Sequence, residues 1–244
     1  MANNKKKHPN KEHLNKERPN KPYLDTDPID DKLNTAILAH NEGVAGSKDA
    51  VARAHALFQS LRSQYPKNLT VKAYSGSVLA LMARDESNPF DRLDLAKQGL
   101  ELLDEAVTDE PSNLTFRMLR GKISYRLPEP FFHRTETAIE DYVMLIHSEM
   151  RKPGTLEQKT YETLIYELGD AYQRTERPKQ AQVCWNKLQK LTNDSRLLDQ
   201  VNEKQQTVKA ASAPKGNQPL KARDFASLAV GLVGASLMGF ALRK

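Results

Sequence analysis

From Leu33 to about Val208 the apolar residues recur three and four positions apart, and Gly, Pro and Asn break the run at intervals. That period belongs to amphipathic helices, whereas a half-buried strand would alternate every second residue. The long apolar runs of a parallel sheet are missing. The pattern therefore predicts an all-α chain. Ahead of it, residues 1–30 are largely Asn, Lys, Pro and acid, with almost nothing to bury, and read as a disordered basic tail. Behind it, Ala211-Ser212-Ala213-Pro214-Lys215-Gly216-Asn217-Gln218-Pro219 opens a flexible linker over 211–224, and residues 225–242 form an apolar helix. The helical domain itself is expected to occupy 31–210.

The helical region contains an internal period. Pro66-Lys67-Asn68-Leu69-Thr70-Val71-Lys72, followed by Gly76, returns 45 residues later as Pro111-Ser112-Asn113-Leu114-Thr115-Phe116-Arg117, followed by Gly121. Proline suits the end of one helix and the first turn of the next. A glycine inside a helix costs about 1 kcal/mol relative to Ala. Two of them in register imply a place where a second helix comes close. Small, aromatic and apolar residues recur around these marks: Ala54, Phe58 and Leu61; Gly99, Leu103 and Ala106; Ala138, Tyr142 and Leu145; Ala181, Trp185 and Leu188, the last preceded by Leu168, Gly169 and Tyr172.

In these residues the chain resembles the tetratricopeptide repeat (TPR) family over roughly 33–195. The resemblance implies a solenoid of about four helix-turn-helix repeats, each a helix A followed by an antiparallel helix B. It also implies a protein or peptide partner held by the groove of A helices, and no catalysis. Some members of the family grip an acidic C-terminal peptide with a clamp of Lys, Asn and Arg. Lys72, Arg117, Arg120 and Lys122 are the candidates for such a clamp here, with solvated helix charges as the plainer alternative. The segments 84–93 and 127–134 exceed the family unit and are expected to form enlarged A–B loops, with Phe131 and Phe132 tucked beneath neighbouring helices. Leu197, Leu198, Val201 and Val208 suit a helix that caps the open end of the array.

Charge narrows the choice of partners. The net charge is +6, but residues 1–22 and 203–244 each hold a surplus of five positive charges, which leaves 23–202 at −4. A mildly acidic folded region does not suit nucleic acid. The single cysteine, Cys184, excludes an intrachain disulfide and, beside Trp185, reads as an inert buried thiol. HExxH, GxSxG, phosphate-loop and dinucleotide fingerprints are all missing. His133 followed by Glu136 could be a fragment of a metal site, but Thr135 and Glu136 read as the start of a helix, and His8 and His13 read as part of the tail. No metal, no cofactor and no enzymatic role is expected.

Residues 225–242 are 18 positions without a charge, flanked by Lys221 and Arg223 on one side and Arg243 and Lys244 on the other. At about 1.5 Å per residue they reach roughly 27 Å, which suits a tail-anchor helix. Ser227, Gly231, Ala235 and Gly239 recur every four residues as a small-residue face on which two copies would pair as a homodimer. One reading is thus a single-pass membrane scaffold with its N-terminal domain in the cytoplasm. The other is a soluble chaperone or assembly factor in which the apolar helix caps the array or occupies its groove.

Overall fold

The computed structural model describes residues 28–212, with side chains from 29 to 206. Helix accounts for 83% of the described residues, and none of them lies in a strand. Ten helices follow in order: α1 Pro28–Val44, α2 Lys48–Gln64, α3 Leu69–Asp85, α4 Pro89–Asp109, α5 Leu114–Arg126, α6 Glu129–Phe132, α7 Thr135–Arg151, α8 Gln158–Arg174, α9 Pro178–Leu191 and α10 Ser195–Ser212. The first begins three residues inside the segment expected to be a tail. The last continues into the first two residues expected to be linker.

The recurrent asparagines set two of these starts. Asn68 accepts a hydrogen bond from the Val71 amide at 3.0 Å, and Asn113 accepts from Thr115 and Phe116 at 3.1 and 3.2 Å. Each is the N-cap of an A helix, where a short acceptor side chain satisfies amides that have no partner inside the helix. Pro66 and Pro111 lie in the turns just before, so the prolines stop the preceding helix and the asparagines open the next. Asn88 caps α4 in the same way, with Pro89 in its first turn. No further proline follows Pro89 until Pro111. The residues around 84–93 that were expected to loop out therefore extend α3 to Asp85 and lengthen α4 to 21 residues, leaving only 86–88 between them.

Packing runs most densely within four pairs, α1 with α2, α3 with α4, α5 with α7 and α8 with α9. Successive pairs stack through α2–α3, α4–α5 and α7–α8. The A helices of the first three pairs also touch their neighbours, α1 against α3 and α3 against α5. Ala54, Phe58, Leu103, Ala106, Ala138, Tyr142, Ala181, Trp185 and Tyr172 are all buried. All of them except Ala138 divide among three apolar clusters: one around Phe58 and Val78, one around Leu103 and Phe116, and the largest around Tyr142, Leu164 and Trp185. Val201 of α10 joins the largest cluster and is fully buried. Cys184 is buried there too, and burial pushes its thiol up to about 12.

The glycines sit where the two helices of a pair cross. A Cβ on Gly76 would lie 2.6 Å from the Gly99 carbonyl oxygen, and one on Gly99 would lie 2.6 Å from the Gly76 carbonyl oxygen. Backbone meets backbone there, and neither residue leaves room for a side-chain atom. A Cβ on Gly121 would meet Asp141 and Tyr142 at 3.0 Å, and one on Gly169 would meet the Trp185 ring nitrogen at 2.3 Å.

No helix among the described residues is long and apolar enough to cross a membrane. The expectation of a single-pass membrane protein with a cytoplasmic domain is corrected accordingly. The segment 225–242 that prompted it lies outside the described residues, as do Ser227, Gly231, Ala235 and Gly239 with the homodimer inferred from them.

Two substitutions test the crossings. Gly76→Ala gains helix propensity, yet it forces a backbone shift and is expected to cost about 1–2 kcal/mol net in urea unfolding. Gly169→Ala is expected to displace the indole of Trp185 and change its near-ultraviolet circular dichroism and fluorescence. An unchanged midpoint for the first and an unchanged Trp185 signal for the second would contradict the close approach.

Candidate functional site

The four cations expected to form a peptide clamp all find carboxylates within the array. Lys72 on α3 reaches Glu105 at 3.0 Å and Asp109 at 3.6 Å on α4. Arg117 on α5 is 3% exposed, and it donates to Asp141 at 2.8 Å and Glu140 at 3.1 Å on α7. Arg120 is 8% exposed and grips the two oxygens of Asp141 at 2.8 Å each, with Asp104 of α4 at 3.4 Å. Lys122 donates to Glu167 of α8 at 2.7 Å, and Glu167 also accepts from the Tyr142 hydroxyl at 2.7 Å. Each of the four is thus engaged in an ion pair inside the array. These residues lie on A helices as expected, but they face helix B or the next helix A. A ligand carboxylate would have to displace an internal one.

Asp141, 0% exposed, is the centre of this arrangement. Two guanidiniums saturate it. Such a buried group tolerates its desolvation only through short, well-aligned bonds. Asp170 plays a similar part further along. It accepts from the Tyr125 hydroxyl at 3.0 Å and from Lys204 of α10 at 2.6 Å, and it pairs with Arg174 at 2.6 Å. Burial raises the Asp170 carboxyl, but Lys204 and Arg174 outweigh this and hold it below the usual carboxylate range. The acidic partners were not foreseen from sequence. One signal was present, because Lys122 with Glu167 and Tyr125 with Asp170 are each separated by the same 45 residues as the repeat.

The A–B corners differ from expectation in a way that bears on function. Phe131 is 76% exposed instead of tucked away, and Phe90, at the start of α4, is 80% exposed. Both follow a proline at the A–B corners of neighbouring pairs, Phe90 in the first turn of α4 and Phe131 in α6 between α5 and α7. Both corners are braced. Around Phe90 the Glu86 carboxylate accepts the Ser87 and Asn88 amides at 2.7 and 2.9 Å, and Arg92 donates to the Glu86 carbonyl at 3.0 Å. Those amide bonds hold the Glu86 carboxyl below its ordinary range. Around Phe131 the Glu129 carboxylate accepts the Thr135 amide at 2.8 Å and so caps α7, while Arg134 ties the corner to Asp104 at 2.6 and 3.0 Å. His133 adopts a left-handed backbone at φ 52° and is exposed, with Glu129 4.0 Å away. Among the described residues no group of three His, Cys, Asp or Glu side chains is arranged to hold a metal ion.

Two outcomes follow from the charge centres. Asp141→Ala strands two buried guanidiniums and is expected to cost about 3–5 kcal/mol, much of it recovered when Arg117 and Arg120 are also replaced by Met. A neutral triple variant as unstable as Asp141→Ala would contradict this. Asp170, whose carboxyl is lowered by folding, contributes stability that is complete above about 3.8, its unfolded value, and fades as pH falls through the lower folded value. Asp170→Asn should flatten the acid-side fall of the melting midpoint, and an unaltered fall would show that the group is not coupled to folding.

Among families, curated proteins and solved structures, it is solved chains that match this one, and several do. No family model matches the chain, and no curated protein matches it. A solved structure described as "MamA AMB-1 C2221", a TPR-like protein, shares 18% sequence identity with a TM-score of 0.41, the match covering 64% of this chain and 78% of that one.

Proposed function

We propose that this chain is a protein-binding scaffold of the TPR kind, an assembly or chaperone-type factor that engages a partner polypeptide. The observation that carries the reading is the pair of solvent-exposed phenylalanines, Phe90 and Phe131, on braced corners of adjacent helix pairs. An exposed aromatic costs free energy in water and regains it when a partner covers it. Because the corners are already ordered, little conformational entropy remains to be lost on binding. The acids that surround the groove cations argue that the partner is not held by the charge clamp of the family. The apolar segment 225–242 then serves as an internal cover for the array or its groove. In support of that part, α10, which leads towards it, is fastened to α8 through Lys204 and Asp170.

The reading is tested by placing a photoreactive phenylalanine at position 90 or 131 of the full chain and irradiating it in its native extract. A discrete adduct with one polypeptide, reduced at least tenfold when the other corner carries Phe→Ser, is the expected result. Adducts no more specific than those formed from the exposed position 110 would overturn it.

A further inference from the structure

The stacking of the first two pairs opens a cleft on the side away from the A-helix contacts. Helices α2 and α4 both pack on α3, which lies between them, and the space left over α3 is about 460 Å³. Along α2 it is lined by His55, Gln59 and Arg62, positions that share one helical face, and by Pro66 in the following turn. Leu79 of α3 and Gln98 of α4 close the other side. The chemistry of this lining differs from that of the groove. Lys72, Arg117, Arg120 and Lys122 each have an internal carboxylate, whereas among the described residues Arg62 has none within ion-pair distance and no carboxylate lines the cleft. This holds although residues 23–202 carry a net charge of −4. His55 adds a buried Nε2 with no hydrogen-bond partner, its Nδ1 lying 3.3 Å from the Met82 sulfur.

An uncommitted guanidinium, two side-chain amides and an orphaned imidazole nitrogen beside apolar walls make a surface that complements one kind of ligand. The guanidinium takes a carboxylate, the amides pair with the peptide groups of a chain laid along α2, and Leu79 and Pro66 meet an apolar side chain. A basic ligand would find no counter-charge. We infer that the cleft between α2 and α4 is a docking site for an acidic peptide segment of a partner protein, with its carboxylate on Arg62 and a neighbouring apolar side chain on Leu79. The inference rests on the protein-binding reading above and adds a second contact surface, distinct from the corners that carry Phe90 and Phe131.

Selection of a random octapeptide display library on the full-length protein tests it. The expected outcome is an enriched pool in which Asp and Glu are over-represented. Its recovery should fall at least tenfold on Arg62→Glu and on Gln98→Glu. The second substitution is isosteric and adds only an oxygen's worth of charge to the rim, so it decides the matter if Arg62→Glu fails to fold by circular dichroism. No enriched pool, a pool without acid preference, or recovery on Gln98→Glu reduced less than tenfold would each overturn the inference. Because photocrosslinking at the corners is read independently, a failed selection with intact corner adducts removes the cleft alone and leaves the scaffold reading standing.

Discussion

Everything in this architecture depends on how closely two helices come together within a pair. At Gly76 and Gly99 the approach is backbone against backbone, and at Gly169 an indole fills the space where a methyl group would be. Helices that cross at such short range bring their small residues, Ala54, Ala106, Ala138 and Ala181, into a seam, and the larger side chains flank it. Close packing of this kind gathers many weak dispersion contacts, which compensates for the poor helix propensity of glycine. Once the pairs are narrow, they stack with A helices in contact. The B helices are then kept apart by the A helix of the following pair, and the α2–α4 cleft is a consequence of that offset.

The interior is not uniformly apolar. Between the cluster around Phe116 and the one around Tyr142 stands a charged layer of Arg117, Arg120 and Asp141, joined at its edge by Asp104 and Arg134. Each of these groups loses hydration on folding, and the bonds among them offset that loss only if the geometry is kept. A layer with such demands fixes how α7 sits on α5 more tightly than apolar packing alone would. It also accounts for Arg117 and Arg120 of α5 facing inward.

The pairing of helices was legible in the chain because its causes are local and repeated. Gly76 and Gly121 recur at a fixed offset, and Ala, Phe and Leu at three- and four-residue spacing state which face is buried. Helix boundaries were less legible. Pro66 looked like an opening residue, whereas Asn68 holds the cap, and a run from 84 to 93 that was too long for the family unit became extra helix. Side-chain partners were hidden for a different reason. Spacing says that Arg120 lies on a certain face of α5, but the presence of Asp141 opposite depends on the register between two helices joined by residues 127–134. The exposure of Phe131 was hidden likewise, since it follows from Glu129 reaching back to cap α7. Hydropathy described residues 225–242 without any reference to the array, and the membrane placement built on it did not survive.

Helix α10 carries one more implication, for the order in which the molecule is completed. The largest cluster, around the fourth pair, is closed by Val201, and Asp170 gains the last of its three partners when Lys204 arrives. A nascent chain emerges from its N-terminus, so the first three pairs can zip up as they leave the ribosome, while the fourth waits with an uncovered flank. The segment that ends this wait is separated from α9 by only 192–194. The vulnerable interval in biosynthesis is thereby kept short.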